Sequence, residues 1–254
     1  MRRLSLFICV ACIAFLGWSG FTAQAQTAQT LNCTFEDDFA HLDKIKNNPS
    51  ADYLANVRAE LAVRKEILRK IVACGAREVE LLKEKVTTTT LEDKTHEGLK
   101  NKFLTQLDES TKYYETSGSR IDTLGLRGSQ ELARSLREWR THTYDSLAEE
   151  ALNFLIWEKN QNIFKTARNR FAEIGKAIES LKIADTEDIH KLFEEAKGDL
   201  EAAEVLNRSV KQSLESFDSS QETFLLTKQS LEALSKTYQK FFDLSQTVQK
   251  VVPR

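Results

Sequence analysis

The histidines and their acidic neighbours are the first places where this chain could carry chemistry. His96 and Glu97 begin like the zinc-binding helix of metalloproteases, in which a second histidine follows four residues after the first. That position is Lys100 here, so the second ligand is missing. Glu187 and His190 have the Glu-x-x-His spacing of di-iron bundles, but such sites need a second pair and two further inward carboxylates. We therefore predict no metal site.

Other motifs of catalysis and cofactor binding are absent from the sequence. It contains no phosphate-binding loop, no dinucleotide fingerprint, no haem attachment motif and no serine elbow. These absences predict a protein that is not an enzyme, with no catalytic residues and no cofactor.

The stretch GLRGSQELARSLREWR, residues 125–140, holds residue types that dominate protein-binding sites. The candidate partner-binding residues are Arg127, Arg134, Arg137, Trp139 and Arg140. A structural interpretation stays open, because Trp139 continues an apolar helical stripe and Glu131 and Glu138 lie within reach of the arginines.

The first 25 residues have the pattern of an export signal. Arg2 and Arg3 precede an apolar run over residues 4–21, and Ala23-Gln24-Ala25 supplies the small residues that signal peptidase reads. The run is 18 residues long, so an uncleaved membrane anchor through residues 4–21 is the alternative. We expect an exported protein, periplasmic or extracellular.

Cleavage would leave two of the four cysteines, Cys33 and Cys74. Two thiols in an exported chain predict one disulfide, which would close a loop of about 41 residues and contribute about 4 kcal/mol through the unfolded state. Two unpaired cysteines are the alternative, because the sequence does not fix the distance between them. A short helix is expected just after Cys33, from the apolar spacing of Phe35, Phe39, Leu42 and Ile45.

Composition indicates long helices and excludes a strong preference for polyanions. Without the signal, which carries two arginines and no acid, the 36 basic residues become 34 against 38 acidic ones, so no nucleic-acid partner is expected. The whole chain has only two prolines and nine glycines, which is typical of helices with few turns.

Apolar periodicity predicts an all-α fold, an elongated antiparallel helical bundle or coiled coil made of two three-helix bundles that share one long helix. Helices are expected near residues 49–86, 91–117, 129–182, 186–217 and 221–252. The long helix would span about 80 Å. The expected division is a signal peptide at 1–25, an N-terminal segment with the short helix at 26–48, a first bundle at 49–154 and a second at 155–254.

Several local patterns refine this prediction. Asn48 and Pro49 are expected to start the first long helix, and Ser117-Gly118-Ser119 to end the next. Residues 151–157 are apolar around the whole helix, which predicts a junction buried on every side. Gly75 lies on an apolar stripe and marks either the close approach of another backbone or a tolerated surface glycine.

The two helices that frame the second bundle also have predicted core positions. Phe171 is expected at the centre of that bundle, and the last helix is expected to turn Phe224, Thr227, Leu231 and Leu234 inward. Asn160 and Asn207 fall on the same kind of stripe and would be buried polar residues.

The stretches LGLRGSQELARSLREWR, LNFLIWEKNQ and SLEALSKTYQKFFDLSQTV resemble exported helical proteins encoded by small-genome candidate-phylum bacteria. The resemblance covers most of the chain after the signal. That group has no assigned activity, so the resemblance implies export and a helical fold and nothing about mechanism.

Three classes of function follow in order of preference. The first is a non-enzymatic exported helical scaffold or macromolecule-binding protein of the cell envelope, whose partner is another protein or an envelope component. The alternative is a ligand-binding or sensor-like helical module, which needs a pocket between helices with converging polar groups. An enzyme comes last.

Overall fold

A computed structural model describes residues 33–47, 52–181, 183, 186–217 and 219–251. These ranges contain helices and no strand, so the predicted all-α helical bundle is confirmed. The seven α-helices are α1 (Glu36–Asn47), α2 (Tyr53–Thr88), α3 (Glu97–Arg120), α4 (Leu126–Trp139), α5 (Asp145–Ser180), α6 (Glu187–Ser216) and α7 (Ser220–Val251). The predicted signal at 1–25 lies outside the described residues. Phe35–Arg254 forms one unit, and only Cys33 and Thr34 of the other unit, Met1–Thr34, are described.

Helices α2 and α3 form an antiparallel pair. The predicted start of α2 is wrong: the helix begins at Tyr53, where the Asp52 carboxylate accepts hydrogen bonds from the backbone N–H groups of Leu54 and Ala55. Asn48 and Pro49 lie outside the described residues. One apolar face of α3 is buried and carries Leu99, Phe103, Leu107 and Tyr114.

The predicted end of α3 at residues 117–119 is also wrong. The helix continues to Arg120, and Ser117 is buried inside it. A side chain on Gly118 would lie 3.2 Å from Val72 of α2, so the small residues at 117–119 let two helices approach rather than ending one. Tertiary packing here overrides the low helix propensity of serine and glycine.

The predicted long helix is present, with one change of register. The backbone is helical from Leu126 to Ser180, but Arg140–Tyr144 forms a π-helical turn between α4 and α5. Such turns insert one residue into an α-helix and rotate everything that follows. No proline or glycine occurs in the π-helical turn, so the sequence gives no sign of it.

Helices α6 and α7 form an antiparallel hairpin that packs against the second half of α5. The inner face of α7 carries Thr223, Thr227, Ser230 and Thr237 between its apolar residues, and all four are buried. Phe224, predicted to face the core, is 52% exposed instead. The buried face is therefore shifted by one residue at the start of α7, and small hydroxyl residues occupy it.

The two bundles share a core across the predicted boundary at residue 154. Val210, Leu214 and Phe217, from the end of α6, pack in the same cluster as Phe103 and Phe154. Phe217 has the left-handed backbone conformation, with φ 59°, which is costly for a residue with a side chain. Its ring contacts Phe103 at 4.8 Å between centroids, so packing holds the strained residue.

The junction segment at residues 151–157 is not buried on every side. Leu152 and Ile156 are 45% and 42% exposed, whereas the polar Asn153 is buried beside Phe154. Leu152 and Ile156 lie four residues apart on the same side of α5, and that side is open to solvent, so apolar residues all round the helix did not predict full burial.

The predicted disulfide is present, since Cys33 and Cys74 are both disulfide-bonded. The short helix expected after Cys33 is α1, which packs along α2. Lys70 of α2 forms an ion pair with Asp38 of α1 at 2.7 Å, and its ammonium lies 5.3 Å from the centre of the Phe35 ring.

Candidate functional site

The structure divides the five predicted partner-binding residues into two groups. Arg127, Arg134 and Arg137 are exposed on α4, and Arg127 pairs with Glu131 one turn later at 2.9 Å. Trp139 is only partly exposed, at the C-terminal end of the same helix. In the described part of the chain, Arg134 and Arg137 have no ion-pair partner.

Trp139 belongs to an aromatic cluster rather than to an open surface. Its ring stacks on Tyr113 with 4.0 Å between centroids and an interplanar angle of 15°, and Tyr114 meets it edge-on at 5.2 Å. Tyr144, from the π-helical turn, lies parallel to it at 6.0 Å. These contacts fix the end of α4 against α3, so the structural interpretation holds for Trp139.

Arg140 also has intramolecular partners. Its guanidinium lies 2.9 Å from the carboxylate of Glu78 on α2 and 3.3 Å from that of Asp145, and it covers the ring of Tyr144 at 5.7 Å. Burial alone would lower the pKa of Arg140, but the charge and hydrogen bond of Glu78 outweigh burial and raise it. Arg140 is therefore a cation that connects α2 to the π-helical turn.

Two tyrosines line the inner side of this cluster. Burial raises the pKa of Tyr144 well above its ordinary value, and burial also raises that of Tyr114. The Tyr144 hydroxyl is fully buried and has no hydrogen-bond partner among the described residues. Both phenols are therefore neutral at neutral pH.

Gly75 of α2 makes room for Tyr114. A Cβ atom at this position would lie 2.3 Å from Cζ and 2.7 Å from the hydroxyl oxygen of Tyr114. Of the two interpretations of Gly75, close approach is therefore correct, although the approaching group is an aromatic side chain and not a backbone.

A buried polar site lies at the junction between the bundles, and sequence reasoning missed it. His96 Nδ1 lies 2.8 Å from one carboxylate oxygen of Glu158, and the other oxygen accepts the backbone N–H of Glu92 at 2.7 Å. Glu158 is 1% exposed and His96 is 7% exposed. The His96 ring contacts Trp157 with 4.5 Å between centroids.

The His96–Glu158 pair joins two separate elements of the fold. Glu158 stands on α5, while His96 and Glu92 belong to the segment that joins α2 to α3. A buried carboxylate is tolerated only when it is paired and hydrogen-bonded, and this one has a partner for each oxygen. The pair therefore fastens the α2–α3 connection to the long helix.

A second group of buried polar residues joins α5 to the α6–α7 hairpin. The Thr223 hydroxyl donates to Glu150 at 3.0 Å and lies 2.7 Å from the Ser213 hydroxyl, and the Asn153 amide donates to the Ser220 carbonyl at 2.8 Å. Because each bond needs one arrangement of the three helices, these contacts specify the register of the junction.

The predicted buried asparagines are only half-buried. Asn207 exchanges two side-chain hydrogen bonds with Gln161, at 3.0 and 3.2 Å, and its carbonyl accepts from the Trp157 indole at 3.3 Å. Asn160 is half-buried and does not join this pair. The Asn207–Gln161 pair therefore links α5 to α6.

The described residues contain no group of three or more metal-ligating side chains. A cleft of about 550 Å³ lies beside α1 and α2, and its lining residues are Asp37, Ala40, His41, Lys44, Ile45, Asn56 and Ala59. Among the described helices, none has both the length and the apolar character that crossing a bilayer requires.

No family model matches the chain, and comparisons with curated proteins and with solved structures find no match.

Proposed function

We propose that this protein is a non-enzymatic, exported helical scaffold or macromolecule-binding protein of the cell envelope. The proposal rests on helix α4, which is fixed at one end and exposes arginines to solvent. One end of this helix is fixed by the stacked Trp139 and Tyr113, while Arg134 and Arg137 extend from it into solvent. A rigid helix with unpaired arginines is suited to presenting a binding surface, because little backbone conformational freedom is lost on association.

The proposed partner is another protein or an envelope component with acidic groups. Arginine forms bidentate hydrogen bonds with carboxylates and is among the residues enriched in binding hot spots. The exposed arginines of α4 offer two such donors within one turn of each other, and Arg127 becomes a third if its contact with Glu131 is exchanged for a partner. Export through the N-terminal signal is part of the proposal, and the disulfide supports it because disulfides persist in oxidising compartments.

The test uses charge reversal on α4 with a matched control. A photo-cross-linker at Gln130, an exposed neighbour on α4, captures partners in cells, and each captured partner is then purified and its direct binding measured. We expect Arg134→Glu with Arg137→Glu to weaken that binding about 30-fold or more, which corresponds to about 2 kcal/mol. The control, Arg77→Glu with Arg208→Glu, changes two exposed arginines of α2 and α6 and should leave the affinity unchanged.

Two results would count against the proposal. Equal affinity of the α4 variant and the control would remove α4 as the binding surface. A mature protein found in the cytoplasm with residues 1–25 retained, by fractionation and mass spectrometry, would contradict export.

A further inference from the structure

Helix α2 has two separate apolar stripes. One faces the main core and includes the buried Leu68 and Val79. The other contains Val63, Ile67 and Cys74, spaced by four and seven residues on a different side of the helix. Ile67 is 6% exposed, yet it belongs to none of the three core clusters formed by the described residues. Something outside the main core therefore covers this second stripe.

The position of α1 identifies it as the cover. Lys70, three residues after Ile67, contacts both Asp38 and Phe35, and Asn56 and Ala59 line the cleft beside α1 at the other end of the stripe. Because residues three, four and seven apart share a helix face, Ile67 lies between these two contacts and beneath α1.

The non-covalent hold of α1 on α2 is weak. No side chain of α1 is buried, and Phe39, on its apolar face, is 49% exposed. An isolated helix of 12 residues is marginal in water, so α1 depends on its attachment to α2. The disulfide supplies that attachment, since Cys33 stands three residues before the first residue of α1.

Solvent can reach the disulfide. Cys33 is exposed and Cys74 is half-buried, in contrast to the neighbouring Gly75, which is buried. Attack by an external thiolate needs such access to one of the two sulfurs.

We propose that α1 is a redox-controlled strap, which the Cys33–Cys74 disulfide holds closed over the second apolar stripe of α2 and which a dithiol reductant opens. In the reaction, a thiolate of the reductant attacks one sulfur, and the protein S–S bond is replaced by a mixed disulfide. The second thiol of the reductant then attacks this mixed disulfide and releases the remaining protein sulfur as a thiol. Two protein thiols form, and the dithiol is oxidised to its own disulfide, so two electrons and two protons pass to the protein. Once opened, the strap exposes Val63 and Ile67.

The proposal goes beyond the binding function of α4 and is tested independently of it. Hydrogen–deuterium exchange of the purified protein is followed by mass spectrometry, before and after incubation with dithiothreitol under native conditions. After reduction, we expect amides of α1 to exchange about tenfold faster or more, and those around Ile67 to lose protection as well. Helices α6 and α7 should exchange at an unchanged rate, and reoxidation should restore the first pattern.

A variant without the disulfide serves as the matched control. Cys33→Ser with Cys74→Ser should show the open exchange pattern at all times and should not respond to dithiothreitol. Three results would overturn the proposal. These are full protection of α1 after complete reduction, loss of protection throughout the chain on reduction, and a disulfide that native dithiothreitol does not reduce. The first would mean that non-covalent contacts hold α1, and the second that the bond supports the whole fold.

Discussion

Replacing Gly75 by alanine should destabilise this protein, although the same change in most helices is stabilising. Alanine is favoured over glycine in a helix interior by about 1 kcal/mol. At Gly75, however, the new methyl group would lie 2.3 Å from Cζ of Tyr114, and ordinary contact begins at 3.4 Å, so the ring or the helix must move by about 1.1 Å.

The Tyr114 ring has little freedom to make that movement. It is 2% exposed and is held edge-on by Trp139 at 5.2 Å and by Tyr144 at 6.4 Å. Overpacking of a closed core costs about 1–3 kcal/mol, and the surrounding rings put this site at or above the upper end. After subtraction of the propensity gain, we expect a net loss of about 2 kcal/mol, which lowers the melting temperature by about 4–8 °C for a chain of this size.

Gly198→Ala in α6 is the matched control, because this glycine lies in the interior of its helix and no atom lies within 4 Å of its added methyl group. It should raise the free energy of unfolding by about 0.5–1 kcal/mol. Chemical denaturation of both variants, followed by circular dichroism, gives the comparison. On a Tyr114→Leu background, which removes the obstructing ring, Gly75→Ala should become neutral or stabilising. Equal stabilisation by the two alanines in the parent chain would refute the packing argument.

Three further predictions concern the buried groups. Glu158→Gln should lower the free energy of unfolding by about 1–3 kcal/mol, because an amide has one acceptor oxygen whereas the two oxygens of Glu158 pair with His96 and with the backbone N–H of Glu92; urea denaturation measures the loss. Phe164→Ala should cost about 3–5 kcal/mol, since Phe164 is 1% exposed, and the half-buried Phe171→Ala should cost clearly less. Burial raises the pKa of Tyr144, so the folded state disfavours the phenolate. Stability should therefore hold below about pH 10, the pKa of an unfolded tyrosine, and fall as pH rises further, as thermal melts across that range would show.

Apolar periodicity predicted where the helices are, because burial on one face is a repeating property of the sequence. It failed at the start of α7, where Phe224 is exposed and Thr223 faces the core. Threonine can occupy a helical core when its hydroxyl has an acceptor, as Thr223 does at the carboxylate of Glu150, at 3.0 Å. A hydropathy pattern scores such residues as polar and so places the buried face one position away.

The buried polar site at the junction was hidden from the sequence for a related reason. Glu158 and His96 are 62 residues apart, and nothing local distinguishes this glutamate from the many exposed ones. Their pairing depends on how α5 and the α2–α3 connection meet, which only the tertiary structure determines. The candidate arginines of α4 were partly predictable, since amphipathic spacing exposes Arg134 and Arg137. The ion pair of Arg140 was not predictable, because its partner Glu78 belongs to another helix, α2.

The position of Phe217 determines where this chain can be divided without loss of its fold. Phe217 lies in the turn between α6 and α7 of the second bundle, but its ring packs in the core of the first. Val210 and Leu214 of α6 pack in the same core. A gene fragment cut at residue 154 would separate these side chains from their cavity, leaving an unfilled core in one product and an exposed apolar end in the other. The two bundles are therefore not interchangeable modules. Recombination that preserves the fold must carry the α6–α7 hairpin together with α2 and α3, so duplication or exchange of a single bundle would produce chains that aggregate or are degraded.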